Sequence, residues 1–432
     1  MDLRQVKPME FQPSRSFALT LDADDELAPF REAFVIHDPD LLYMDGNSLG
    51  RLPKAVRERL QVVVEEEWGR DLIRSWNNAG WWQAPVRVGE KIAPLIGAAP
   101  GQVVVTDSVS LDLFKLCLAA LDLSPARRRI LTDALNFPSD LYILQGIVRL
   151  LGERHEIVCI GSNDGGLTPD HEQWIQALDE NTALVTFSHV LFKSGYLYDM
   201  QEITRLAHQK GALVLWDLSH SVGAVPIELD ACGVDFAVGC TYKYLNGGPG
   251  SPAFLYVNHS LQEKTRSPIW GWWGQKEPFA FGLDYAPADG VNRFLVGSQS
   301  MLSLLALEAA IEPLLQAGME RIRKKSIRLT EYLIYLTDLF LAPLGFTLGS
   351  PRDCERRGSH VSIRHPEGYR INRALIEEMN VIPDFRAPDN IRLGIAALYT
   401  SFTDVWDTVD RIRQVMMEKR YEKYTQERLL VT

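Results

Sequence analysis

From about residue 100 to residue 260, short and continuous apolar runs alternate with stretches of helical period. Residues 103–105, 130–131, 157–160, 183–187, 212–216, 236–238 and 253–257 predict strands. Residues 112–121, 140–151, 171–178 and 200–209 predict the helices between them. Runs that are apolar throughout, rather than at every second position, suit a sheet covered on both faces, and such sheets are mostly parallel. The order strand, helix, strand predicts a doubly wound α/β fold, whose ligand sits at the carboxyl ends of the strands.

The pattern changes near residue 300. Residues 301–317 and 322–340 predict two long helices. A smaller α+β unit follows, with strands at 361–364 and 391–395 and helices at 372–379 and 404–418. Near the start, residues 45–50 predict a loop. An amphipathic helix begins after it, with Val56, Leu60, Val63 and Val64 on one face. The expected division is an N-terminal segment, 1–60, packed on the small domain, then a large domain, 61–310, and a small C-terminal domain, 311–432. No internal repeat or low-complexity stretch interrupts it.

The 432 residues are 46% hydrophobic and 23% charged, enough to bury the core of a two-domain globular protein. The net charge of −11, without a basic run, argues against nucleic acid and anionic membranes as partners. Met1–Ser14 has no apolar run of a secretory signal, and no stretch is long enough to span a bilayer. Cys117, Cys159, Cys232, Cys240 and Cys354 are odd in number and lack CxxC spacing. They predict free thiols in a reducing cytoplasm. The nine histidines form no HExxH or HxH arrangement, so no metal site is expected.

One segment carries chemistry. The strand at 212–216 leads into Asp217-Leu218-Ser219-His220. The next, at 236–238, leads into Cys240-Thr241-Tyr242-Lys243-Tyr244-Leu245-Asn246-Gly247-Gly248-Pro249-Gly250. Pyridoxal phosphate needs a lysine amine for its aldehyde and a carboxylate for its pyridine nitrogen, and Lys243 and Asp217 are of those types. Ser110, before the helix at 112–121, suits a phosphate at a helix N-terminus; a plain serine N-cap is the better reading of the pattern alone. Phe137, in Asn136-Phe137-Pro138-Ser139-Asp140, suits stacking on a ring, with Asp140 as a helix cap. Ser188 ends the strand before Asp217 and points into the same crevice. Trp270-Gly271-Trp272-Trp273-Gly274 reads as ligand contact, hydrophobic clamp or subunit interface. Arg392 reads as a carboxylate clamp if buried, and otherwise as a surface residue on an edge strand.

Together these residues resemble the kynureninase family, pyridoxal-phosphate-dependent hydrolases of fold type I (the aspartate-aminotransferase fold). The resemblance runs over nearly the whole chain and is similar in detail to bacterial members. Residues 46–50, GNSLG, and 239–250, GCTYKYLNGGPG, carry it most specifically. Arg74-Ser75-Trp76-Asn77, residues 136–140 and 357–362, and Leu398-Tyr399 support it.

The resemblance implies hydrolysis of L-kynurenine to anthranilate and L-alanine in tryptophan catabolism, the pathway that also feeds NAD biosynthesis. It implies that Lys243 holds the cofactor, Asp217 pairs with the pyridine nitrogen and Phe137 stacks on the ring. Val109 and Ser110 are implied to bind phosphate, with Asp140, Ser188, His220 and Tyr242 completing the cofactor shell. Trp272 and Ser298 are implied to reach the phosphate from the neighbouring subunit of a homodimer. Arg392 is implied to clamp the substrate α-carboxylate, with Asn47 and Ser48 in the substrate site. The aryl end is implied to lie near Trp76 and near the neighbour's Gly297 and Ser298. Tyr242 is expected as the general acid, its phenol pKa lowered by Lys243. Other activities of the same fold remain open. One is a cysteine desulfurase, for which Cys354 is the one thiol in a polar loop. A class V aminotransferase is another, and a non-catalytic cofactor-binding protein a third.

Overall fold

The computed structural model describes residues 11–427, so most of Met1–Ser14, read for a secretory signal, lies outside the described residues. Thirteen strands are described. They are β1 (Leu42–Tyr43), β2 (Val103–Thr106), β3 (Arg129–Asp133), β4 (Glu156–Ile160), β5 (Thr182–Ser188), β6 (Leu213–Asp217) and β7 (Phe236–Gly239). Then come β8 (Ala253–Val257), β9 (Thr347–Leu348), β10 (His360–Arg364), β11 (Val381–Ile382), β12 (Asp384–Arg386) and β13 (Asn390–Gly394).

The large sheet has seven strands in the order β2-β8-β7-β6-β5-β3-β4. Only β8 runs against its neighbours, β2 and β7. Every residue of β2, β5, β7 and β8 is buried, which is why these strands read as continuous apolar runs. The two faces belong to separate cores. Leu131, Val185, Val214 and Trp216 pack on one side, and Ile130, Leu184, Leu215 and Phe236 on the other. All seven strands expected from residues 103 to 257 are present, as are the four helices, now Val109–Leu123, Pro138–Leu150, His171–Ala177 and Met200–Gln209.

A second, antiparallel sheet has the order β12-β13-β10-β9. Its core joins the two ends of the described chain. Ala18, Leu21, Leu42 and Met44 pack with Leu329, Leu333, Ile391, Val405 and Val409. Asp22 accepts backbone N–H bonds from Phe402 and Thr403, at the start of the helix Phe402–Met417. Anions are stabilised there by the orphan donors and the helix dipole. Gly394 N–H donates to Met44 C=O at 2.6 Å, and Gly50 N–H to Tyr242 C=O at 2.8 Å. The loop at 45–50 thereby ties the small sheet to the segment that carries Lys243.

Three expectations of local structure need correction. The helix expected over 301–317 is two, Met301–Ala310 and Glu312–Ala317. Pro313 has no N–H to donate, and its ring clashes with the carbonyl four residues back. The helix expected over 322–340 is α-helical only as Met319–Leu336 and then widens into a π turn, Thr337–Leu341. The helix Lys54–Val62 likewise passes into a π turn, Val63–Trp68. The wider turn breaks the 3.6-residue period, so Val56 and Val63 are buried while Val64 is exposed. Among the described residues no single helix is long and apolar enough to cross a membrane.

Candidate active site

Strands β5, β6 and β7 end side by side, with Ser188 paired to Asp217 and Asp217 to Val238. A cavity of about 290 Å³ opens at these carboxyl ends. Asn47, Ser48, Val109, Ser110, Phe137, Asp140, Ser188, Asp217, His220, Tyr242, Lys243 and Arg392 all line it. These positions come from seven segments of the chain, and only the fold brings them together.

Asp217 is buried where β6 ends, and its Oδ1 accepts the Ser219 N–H at 2.9 Å and the Ser219 hydroxyl at 2.6 Å. Asp140 hydrogen-bonds to the same carboxylate. Burial raises the pKa of both groups, and Asp140 is held further up by the charge of Asp217. Asp140, the group raised further, is the donor of the pair and Asp217 the acceptor. Asp140 is thus no helix cap: the helix Pro138–Leu150 is capped at Phe137, and Asp140 turns inward from its first turn.

Lys243 Nζ lies 2.8 Å from His220 Nε2. Burial, and then Lys243 itself, hold the His220 pKa well below its usual value. The ring is therefore neutral, and its Nε2 accepts from Lys243 Nζ. Its Nδ1 is buried without a partner. Tyr242 departs from expectation. Its pKa is raised, first by the Cys240 sulfur beside it and then by burial. The phenol hydrogen-bonds to that thiol, and Lys243 Nζ sits over the ring, 5.9 Å from its centre. Tyr242 holds its proton more firmly than a free tyrosine.

At the carboxyl end of β2, on the same edge of the sheet, lies an anion cradle. Ser108 is the N-cap of the fifteen-residue helix Val109–Leu123, and its side chain makes no cap bond. Ser110, one turn position inside, is 3.1 Å from the Ser139 hydroxyl. Unspent N–H groups, the helix dipole and two hydroxyls favour a phosphate there. The turn before it is strained, with Asp107 at φ 44°. Lys115, wholly buried below, holds Asp107 and Asp112 at 2.8 Å each and donates to Phe294 C=O.

The far wall carries Arg392. It is buried on β13, which lies between β12 and β10, so it is not a surface residue on an edge strand. Its Nε donates to Asp384 at 2.7 Å, its Nη1 to Phe192 C=O, and its Nη2 to Ser48 Oγ at 3.0 Å and to Asp384. Asn47 is buried against Gly394, where any Cβ would overlap its amide. Phe192 meets Phe137 edge-on at 5.4 Å.

Trp76, Trp272, Gly297 and Ser298 do not line this cavity. They share a separate surface. Trp273 N–H donates to Val296 C=O, beside Gly297 and Ser298, and Trp76 packs edge-on against Trp273 at 5.5 Å. Trp272 leans on Trp82 and Phe279 and stays exposed.

The residues present fit pyridoxal phosphate. The cradle suits its phosphate, Phe137 its ring face, Asp217 a pyridinium N–H and Lys243 its aldehyde. His220 Nδ1 and the Asn47 amide are buried polar groups still without partners in the same cavity. Among the described residues no cluster of side chains suits a metal ion.

A family model described as the kynureninase C-terminal domain matches residues 322–412. A kynureninase of Pseudomonas fluorescens is 45% identical over 412 residues, covering 94% of this chain and 97% of its own. One of Burkholderia pseudomallei (strain 1106a) is 45% identical over 407 residues, 93% of this chain and 95% of its own. The chain belongs to the kynureninase family. Kynureninase resemblance in sequence is joined by likeness in fold. A cysteine desulfurase of Escherichia coli superposes with a TM-score of 0.76 at 17% identity, over 91% of this chain and 99% of its own. Another, from Thermococcus onnurineus NA1, gives 0.74 at 19%, over 88% and 95%. At such identity these two speak for the doubly wound fold alone.

Several residues of this kynureninase site have no sequence signal that singles them out. Ser139, Phe192, Ser219, Cys240 and Arg386 all line the cavity, and Asp384 and Lys115 lie behind its walls. Ser219 and Cys240 stand inside recognised segments, so adjacency to Asp217 and Lys243 was their available signal. Asp384 and Arg386 had none, because their importance lies in the partner strand.

Proposed function

We propose that this protein hydrolyses L-kynurenine to anthranilate and L-alanine, with pyridoxal phosphate as cofactor. The observation that carries the reading is one cavity with Lys243 and Asp217 at one end and a buried arginine at the other, in a chain 45% identical to kynureninases over nearly its full length. Bound cofactor supplies the aldehyde that takes up the substrate amine and the ring that accepts electrons from its α-carbon.

The chain's own residues supply the rest. Asp217 would pair with the pyridine nitrogen and favour its protonated form, with Asp140 bonded to the same carboxylate. Lys243 would hold the cofactor through its amine and, when free of it, take the α-proton, with His220 Nε2 orienting that amine. Arg392, on the wall facing Lys243, would hold the substrate carboxylate. Water adds to the side-chain carbonyl, and the bond between β-carbon and carbonyl carbon breaks. Tyr242 then donates a proton to the β-carbon. Its raised pKa keeps it protonated until that carbanionic carbon forms.

We propose also that the protein is a homodimer whose subunits complete each other's sites. The patch bearing Trp272, Gly297 and Ser298 supports this, since Trp270, Phe279, Phe281 and Leu283 around it are exposed. A contiguous apolar surface of that kind marks an interface. A desulfurase reading finds no support. Cys354 does not line the cavity and burial raises its thiol pKa; Cys240 does, but it is buried, raised and engaged with Tyr242. The test is release of fluorescent anthranilate from L-kynurenine by the cofactor-loaded protein. No fluorescence, with full cofactor loading and L-kynurenine in excess, would overturn the reading.

A further inference from the structure

A single arginine clamping a carboxylate side-on uses its Nε and one Nη. Arg392 has no such edge to offer. Its Nε and Nη2 are on Asp384, its Nη1 is on Phe192 C=O, and Nη2 is shared with Ser48 Oγ. Asp384 is buried behind the wall, directly opposite Arg392 in the β12–β13 register.

Arg386 lies two residues beyond Asp384, on the same face of β12. It lines the cavity beside Arg392, Asn47 and Ser48. Its Nη2 is 3.1 Å from Asp384, and its Nε is buried with no acceptor. Two guanidinium groups therefore share one buried carboxylate. The other acidic side chain at this wall is Asp45, whose Oδ1 is also buried without a partner. No ion pair joins Asp45 to Arg386 among the described residues. A buried N–H of an arginine without an acceptor is costly, and one more anion would satisfy it.

We propose that Arg386 is a second carboxylate-binding residue. The substrate α-carboxylate lies between Arg386 and the cavity side of Arg392, and Asp384 holds the two guanidinium groups in register from behind. Arg386 Nε donates to one oxygen. Ser48 yields its place on Arg392 Nη2 to the other. This rests on the kynurenine reading above and adds the residue that reads the carboxylate.

The test uses the cofactor-loaded protein and its variants Arg386→Gln and Arg386→Lys. For L-kynurenine, Arg386→Gln should raise KM about 10- to 100-fold with kcat changed less than about threefold, and Arg386→Lys should recover part of the loss. Calorimetric binding of L-alanine against L-alaninamide isolates the carboxylate. The parent protein should prefer L-alanine, and Arg386→Gln should lose about tenfold of that preference, which a merely structural arginine would not change. An unchanged preference, with L-kynurenine still turned over by the parent, overturns the role of Arg386 alone. Absence of anthranilate from the parent protein overturns the function itself, and the L-alanine comparison still decides whether Arg386 reads a carboxylate.

Discussion

At one end of the cavity, Asp217, Ser219 and His220 stand within four residues of chain, and Lys243 lies in the turn after the next strand, β7. At the other end, Ser48, Phe192, Asp384, Arg386 and Arg392 come from four separate segments. The first end is built from short-range bonds, although His220 Nδ1 stays without a partner: Ser219 serves Asp217 two residues back, and strand order sets Lys243 near His220. The second end depends on the β12–β13 register and on the docking of the 45–50 loop against Gly394. It also keeps orphaned polar atoms, on Asp45, Asn47 and Arg386. A wall that must hold a resident cofactor is locally determined. A wall that must accept and release a substrate is assembled from distant segments of the chain.

The largest effect should come from Lys243→Ala. Turnover should fall more than about 10⁴-fold, because both the cofactor anchor and the α-proton base are lost. After borohydride reduction, peptide mapping should find no lysine joined to cofactor; a modified lysine elsewhere would move the anchor and dissolve the local character of this wall. Arg392→Lys should lower kcat/KM about 10²- to 10³-fold while cofactor affinity, read by absorbance titration, changes less than about threefold. Equal loss of cofactor would mean that the two walls are one unit.

Gly394→Ala tests the docked loop. Its Cβ would push against Asn47, so the loop should shift, costing about 1–3 kcal/mol of stability and about tenfold in KM. Thermal unfolding and steady-state kinetics read the two, and no change in either would mean that the loop docks loosely.

Asp45 should make the far wall sensitive to pH. Burial, and then Asp384, raise its pKa to about 6. A carboxyl raised in the folded state contributes stability below its unfolded pKa, near 4, that is lost as pH rises through 6. Asp45→Asn removes that loss. Its stability relative to the parent should therefore climb by about 1–3 kcal/mol between pH 4 and pH 7.5, by urea unfolding. A gap that stays flat with pH would show that Asp45 finds a partner when ionised. The smallest effect concerns the aryl end. Trp76 and Gly297 offer little to a ring hydroxyl, so L-kynurenine should exceed its 3-hydroxy form in kcat/KM by about tenfold. The reverse preference would require a polar group that the patch around Trp272 does not supply.

The contrast also explains what was legible. Asp217, Lys243, Ser110 and Phe137 are readable because each follows a strand or opens a helix, and doubly wound folds gather those points at one edge. Arg392 was readable as an arginine in a strand, but its environment was not, since the strand that supplies Asp384 is only three residues long. The expected lowering of the Tyr242 pKa failed for a similar reason. Sequence places the phenol next to Lys243, while the folded turn points it at Cys240. Asp140 read as a cap by position, yet the helix started earlier, at Pro138, and turned it onto Asp217.

By itself, the sequence determined the strand and helix order, the parallel sheet, the family and the residue types of the cofactor wall. These follow from hydrophobic period and from neighbours within a few residues, where chain connectivity limits the outcomes. Tertiary structure alone decided the bond between Asp140 and Asp217, the partner of Tyr242, the two arginines on Asp384 and the packing of Trp76 on Trp273. Each depends on burial or on contacts between distant segments, and those energies exist only once the core excludes water.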